Sequence, residues 1–521
     1  MIESTREQWQ RVRQLIAARQ REPARTLLAS IVSRDPADTA AHLHLAGLLA
    51  ADDHQRAAVA QTLEACRHPP ADPNSLGDLI AALIWAGEMV AARRFLDSPV
   101  FTVSRSIPVL MRAAGQRQAI GEHATALDLM EQARKHGAGG RDFLFHHAVQ
   151  LAFNGRLDEA RAELEQCIGF DPPLGYAFVE LARMHKQSAQ SNHLGRIDAA
   201  LHRVEPGDIE HAALEFARYK ELEDLQRHGE AWQALERGNR IMQARLPFDP
   251  ARQGALIERL MRICTTTFLE ARTASDDKGP QPIFVLGLPR SGTTVLERML
   301  GSHSQIASAG ELGDFPRALF LATDHLPAGM FDETTLERLP GADWDEVRQT
   351  YFAQTRWRAG ERPFYVDKLP RNWMVTGLIR RALPQAKILH VVRDPLDACF
   401  SNWRAFFGPG AEYAYAYDLA ALAAQHRQYR RLMDHWHAVA PGSILDVHYA
   451  SLVREPEATA RAILAFCGLP YEPGCLDFAN NTAPSATLSM SQVGQSIRTD
   501  AFEAWRPYAG QLAGLRDALA K

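Results

Sequence analysis

The chain has 521 residues, 46% of them hydrophobic and 23% charged, which is ordinary globular composition and enough for roughly two to four domains. A formal net charge of −4 excludes a basic coat for nucleic acid and a polybasic membrane anchor. No run reaches the ~18 apolar residues that span a bilayer, and the opening Met-Ile-Glu-Ser-Thr-Arg lacks the apolar stretch of a secretory signal. Cys66, Cys167, Cys264, Cys399, Cys467 and Cys475 form no CxxC pair and fit neither a zinc site nor a disulfide framework. Free thiols in a reducing compartment are the expectation, with a cytoplasmic location.

The first two hundred residues repeat. Ala24, Ala58, Ala92, Ala126 and Ala160 follow one another at intervals of 34, and Gly87, Gly121 and Gly155 each stand five residues before an alanine of that series. A second series runs Ala46, Ile80, Ala114, Ala148 and Ala182. Asp35-Pro36 and Asp171-Pro172 are four periods apart, and a six-residue slip then shifts the echo of Gly155–Ala160 to Gly195–Ala200. Small residues at a fixed period suit helices that approach closely, glycine suits the turn between them, and Asp-Pro closes a helix. The pattern resembles tetratricopeptide repeats, with most of that family's aromatic positions missing. The resemblance implies an all-α solenoid over 1–207 with a concave surface for a peptide or protein.

Residues 208–275 keep helical periodicity without the repeat, at Glu210–Leu225 and Glu230–Ala244, and are expected to form a helical bridge. Thr273-Ala-Ser-Asp-Asp-Lys-Gly-Pro280 reads as a linker. The third segment, 276–521, has a different character.

Gln281-Pro-Ile-Phe-Val-Leu286 reads as a buried strand, Gly287-Leu-Pro-Arg-Ser-Gly-Thr-Thr294 as a loop, and Val295–Leu300 as a helix. Strand, glycine-bounded loop and helix form the context for anion binding, because the first helical N–H groups and the helix dipole face the loop. Gly287 and Gly292 have the spacing of a nucleoside-triphosphate loop, but Thr293 stands where such a loop needs lysine. That lysine normally reaches the β- and γ-phosphates. Arg290 supplies a charge inside the loop instead, and Ser291, Thr293 and Thr294 offer hydroxyls. A smaller, less charged anion than Mg-ATP fits.

A second anion site lies downstream. Ala386–Val392 reads as another buried strand, delivering Arg393-Asp394-Pro395, with Ser401 eight residues after Arg393. That places Ser401 about two turns into the next helix, where an arginine and a serine can converge on one phosphate.

Together these motifs resemble the sulfotransferase superfamily that uses 3′-phosphoadenosine 5′-phosphosulfate (PAPS), with its product adenosine 3′,5′-bisphosphate (PAP). With the repeats in front, the chain resembles bacterial tetratricopeptide-repeat sulfotransferases, whose catalytic half is similar to protein-tyrosine sulfotransferases. The resemblance implies an α/β phosphate-loop-like domain, a parallel sheet flanked by helices. It gives Arg290, Ser291, Gly292, Thr293 and Thr294 to the 5′-phosphosulfate, Arg393 and Ser401 to the 3′-phosphate, and Tyr449 to the neighbourhood of the adenine. Glu311, in Ala309-Gly310-Glu311, takes the place of the catalytic glutamate, and Lys368 that of an active-site lysine. Ser489–Gln495 resembles the loop that covers the cofactor. Relatives carry a basic residue there, where this chain has Gly494 and Gln495, with Arg498 nearby.

On this resemblance, Glu311 takes the acceptor proton while Lys368, Arg290 and Ser489 steady charge on the departing oxygens, with no metal. Plainer readings stand beside each assignment: Glu311 as a helix N-cap or a surface carboxylate, Lys368 paired with its neighbour Asp367, and His303 either as the base or as a helix-end cap. The acceptor is a peptide or protein, held by the repeats, or another hydroxyl compound. Two other functions remain open: a phosphate-loop kinase, and an adaptor in which the repeats bind a partner and the second half is weakly active.

Overall fold

The computed structural model describes residues 5–270, 277–477 and 502–520. Ser489, the Ser489–Gln495 loop and Arg498 lie outside the described residues, as do residues 273–276 of the Thr273–Pro280 linker.

The 34-residue period is a packing period. Ala24, Ala58, Ala92, Ala126 and Ala160 are all fully buried, and so is the second series from Ala46 to Ala182. Helices pair across short turns, Thr39–Ala51 with Gln55–Ala65, Ile107–Ala119 with His123–Lys135, and Arg141–Phe153 with Leu157–Cys167. Connections this short make the partners antiparallel. Gly87, Gly121 and Gly155 sit at the turns with φ of +88°, +82° and +79°, a conformation that other residues adopt only at a cost. The expected all-α, tetratricopeptide-like front of the chain is therefore present.

The second half is built on a parallel sheet. Its strands are β1 (Gln281–Gly287), β2 (Ile306–Ser308), β3 (Phe364–Lys368), β4 (Lys387–Val392) and β5 (Ile444–His448), in the order β2-β3-β1-β4-β5. Ile283, Phe284, Val285 and Leu286 of β1 are wholly buried, as expected of a central strand covered on both faces. The helix Thr293–Gly301 packs Leu296, Met299 and Leu300 against this core. With β3 on one side of β1 and β4 on the other, strand order reverses at β1. In open α/β sheets, ligands bind at such a point, outside the carboxyl ends of the strands.

The chain folds into two compact units. One comprises residues 1–138 with 313–357, the other 139–312 with 358–521. They group the chain differently from the segments 1–207, 208–275 and 276–521. In the first unit, residues 313–357 are bonded to the early helices. The backbone N–H of Arg56 donates to Asp324 at 2.7 Å, Arg56 pairs with Glu346 at 2.5 Å, and Gln354 donates to Glu88 at 2.8 Å. In the second unit the late helices pack directly on the sheet domain. Asn239 donates to the Trp403 carbonyl at 3.1 Å, and Trp232 lies 4.6 Å from the Trp403 ring.

Candidate active site

The site residues expected from the sequence, among those described, gather at the carboxyl ends of the strands, except that Ser401 comes from the helix Pro395–Trp403 after β4. Gly287 ends β1, Glu311 follows β2, Lys368 ends β3, Arg393 follows β4, and Tyr449 follows β5.

The loop after β1 is held on both sides. A Cβ on Gly287 would lie 2.7 Å from the Val391 carbonyl, and one on Gly292 would lie 2.4 Å from the Tyr449 ring. Gly292 has φ +110° and Arg290 φ +64°, so the loop folds back through left-handed backbone. Its outward carbonyls are tied down: Asn402 donates to Pro289 O at 2.7 Å, and Arg393 to Arg290 O at 3.0 Å. The Arg393 guanidinium lies over the Tyr449 ring at 4.8 Å. Asp394 accepts from the Asp397 N–H at 3.0 Å and caps the helix Pro395–Trp403, which carries Ser401 and Asn402.

The loop is strongly positive. Burial pulls the Arg290 guanidinium down to about 9, and Arg183, Arg404 and Arg393 reinforce the shift. Arg393 is lowered by its own burial. Arg404 is opposed by burial but held up by Glu223, and Arg183 is anchored to Glu180 at 3.1 Å and to the Phe406 carbonyl at 3.2 Å. Inside the loop, the buried Ser291 Oγ has no hydrogen-bond partner among the described residues.

The β2–β3 edge carries the second group. Ala309 N donates to Val366 O at 3.0 Å and Lys368 N to Gly310 O at 2.9 Å, extending the ladder past β2. Gly310 turns with φ +77° and presents Glu311. The Lys368 ammonium, 1% exposed, meets Glu311 Oε1 at 2.5 Å and Glu297 Oε2 at 3.6 Å. Glu297 also accepts from Ser308 Oγ at 2.6 Å. Burial works against the Lys368 charge, but Glu311 and Glu297 outweigh it and raise its pKa. Lys368 does not pair with Asp367, because neighbours on a strand face opposite sides.

Tyr413 borders the same place. Burial raises its phenol to about 12, Glu311 adds to the rise, and Arg371 and Lys368 oppose it. Its ring stacks on Phe407 with centroids 4.5 Å apart, under Arg371 at 5.7 Å. His303 is engaged elsewhere: Nε2 faces Pro470 O at 3.0 Å, and Nδ1 receives the Gln305 N–H at 3.1 Å.

Sequence reasoning missed Asn402, Glu297, Arg183 and Tyr413. Asn402 left only a weak signal, a polar side chain beside Ser401 in the last turn of the helix Pro395–Trp403. The other three left none.

Fold and site define a parallel α/β phosphate-loop domain with a second cationic group beside the loop. Residues 282–473, in the C-terminal half, match the sulfotransferase family model. The chain is similar to an uncharacterized protein of Aquifex aeolicus, 29% identical over 81% of this chain and 55% of that one. Its span is thus about half the length of that relative. It is also similar to a putative protein-tyrosine sulfotransferase of Caenorhabditis briggsae, 25% identical over 43% of this chain and 80% of that one. A solved sulfotransferase domain from the Synechococcus PCC 7002 olefin synthase aligns at 20% identity over 46% of this chain and 98% of that one, with a TM-score of 0.29. Among the described residues, no helix is long and apolar enough to cross a membrane.

Proposed function

We propose that this protein is a sulfotransferase that moves the sulfuryl group of PAPS to an acceptor hydroxyl, the acceptor being a tyrosine in a peptide or protein. The observation that carries this reading is a lysine-free phosphate loop beside the Lys368–Glu311 pair. The loop's residues fit the donor. Ser291 Oγ is buried with no partner among the described residues, the two glycines let the loop close on Val391 and Tyr449 where a Cβ would clash, and Arg290 stands among like charges that an anion would relieve.

In this reading Arg290, Ser291, Gly292, Thr293 and Thr294 hold the 5′-phosphosulfate, Arg393 and Ser401 hold the 3′-phosphate, and Tyr449 borders the base. Ser489 belongs to the same assignment. When bound, PAPS supplies an electrophilic sulfuryl group and a phosphate that leaves. Glu311 takes the acceptor proton on its carboxylate, which lies 37% exposed at the mouth of the site. Its protonation removes the charge facing Lys368, and the ammonium is then free to donate to the departing oxygen. Arg290 steadies the same charge from within the loop. The reading needs no metal.

A kinase is disfavoured by Thr293 in the lysine position and by Asp394, whose carboxylate caps a helix rather than facing the loop. The peptide acceptor rests on similarity to the Caenorhabditis briggsae protein and on the repeats, which would hold it. Six free cysteines support a cytoplasmic location.

A thermal-shift comparison tests the donor. PAP should stabilise the full chain by mass action and Mg-ATP should not, with the PAP shift lost in Arg290→Ala. Stabilisation by Mg-ATP alone overturns the reading.

A further inference from the structure

On the far side of β4 from the phosphate loop, three side chains from three elements converge without a part in the chemistry above. We propose that His390, His437 and Asp446 form a binding site for one zinc-class divalent cation, which staples β4, β5 and the helix Leu419–Val439 together.

His390 on β4 and Asp446 on β5 are direct partners in the parallel ladder, so their side chains leave the sheet on the same face. His437 comes from the last turn of the helix Leu419–Val439. His390 Nδ1 lies 2.7 Å from Asp446 Oδ1, and His437 Nε2 lies 3.0 Å from the same oxygen. All three candidate ligand atoms fall within 4.8 Å of one another. Zinc bound tetrahedrally at about 2.0–2.2 Å sets its ligands about 3.3 Å apart. The two short contacts, at 2.7 and 3.0 Å, therefore need to open by about 0.6 and about 0.3 Å, while the two imidazole nitrogens, within 4.8 Å, settle to the same spacing. His437 and Asp446 are 35% and 40% exposed, so both can shift, and water can take the fourth position. His390 is the fixed member, buried in the sheet.

The surroundings of His390 support ligation rather than a simple ion pair. Its Nε2 faces the buried Tyr429 hydroxyl. Metal binding through Nδ1 requires the proton on Nε2, and the Tyr429 oxygen is placed to accept it. Metal-bound histidines almost always have such a partner on the other nitrogen. Two imidazoles with one carboxylate favour zinc or cobalt over magnesium or calcium. The staple would fix β4 three residues before Arg393.

Cobalt(II) titration of the metal-free full chain tests the site, read by visible absorption and by equilibrium dialysis. One Co²⁺ per chain should bind with the intense visible bands of a tetrahedral site, and Zn²⁺ should abolish them. His437→Ala and Asp446→Asn should each weaken binding at least about tenfold. Both positions are partly exposed, and an unchanged circular dichroism spectrum verifies that each variant is folded. Tyr429→Phe, which leaves the three ligands in place, should weaken binding less. Absence of the bands, or bands of equal strength and affinity in His437→Ala and Asp446→Asn, overturns the proposal, since the cobalt would then sit on other histidines.

Discussion

The Lys368 ammonium lies 2.5 Å from the Glu311 carboxylate, at the ends of neighbouring strands, with Glu297 closing in from behind at 3.6 Å. This pairing separates two jobs. In the proposed reading Glu297, 7% exposed, stays with the buried lysine, whereas Glu311, 37% exposed, takes the acceptor proton.

Glu311→Gln and Lys368→Met should therefore differ. Each should lower transfer by about 10²–10⁴-fold, the usual range for losing a proton-transfer group. Both should destabilise the fold, since each breaks the pair around the buried ammonium. Lys368→Met should cost more, about 3 kcal/mol, because it leaves Glu297 buried without its cation, whereas Glu311→Gln leaves Lys368 with Glu297. Steady-state assays and urea denaturation of the two variants check this. Equal stability losses would contradict the division.

Gly292→Ala should damage the loop twice over. The new methyl would meet the Tyr449 ring at 2.4 Å, at a φ of +110°. A loss of about 1–3 kcal/mol in stability is expected, together with loss of the PAP-induced thermal shift. Calorimetric titration with PAP measures the second effect.

Asn402→Ala should weaken donor binding without touching any residue assigned to the donor. Its side chain donates to the Pro289 carbonyl at 2.7 Å. Removing that bond frees the loop and should cost about 1–2 kcal/mol. PAP affinity should fall, while far-ultraviolet circular dichroism stays unchanged.

His325 gives the first compact unit a pH dependence. Burial lowers its pKa, but Asp332 and Asp53 outweigh burial, and the net shift is upward. A raised pKa means the folded state binds more protons than the unfolded one between the two values. The stabilisation is fully present below the unfolded histidine value of about 6.5 and is lost as pH rises through the folded value. His325→Gln should flatten this part of the melting-temperature profile above pH 6.5. An identical profile in wild type and variant would contradict the assignment.

Much of this was legible in the sequence, for physical reasons that differ by region. The repeats showed because close helix packing demands a small residue at a fixed interval, and Ala24 through Ala160 are buried accordingly. β1 and β4 showed because strands covered on both faces read as near-continuous apolar runs. The loop showed because only glycine fits at 287 and 292. Glu297, Arg183 and Tyr413 were not legible, since their roles arise from convergence in space. Nor was the membership of residues 313–357 in the first unit. No change of composition marks them, and their ties to Arg56 and Glu88 are long-range.

The central claim is tested most directly by incubating the purified full chain with sulfur-labelled PAPS and a cell extract, beside Glu311→Gln under the same conditions. The account expects label on a hydroxyl of a protein product, released as sulfotyrosine on digestion, with little or none from the variant. No labelled product, or equal labelling by wild type and Glu311→Gln, would contradict it.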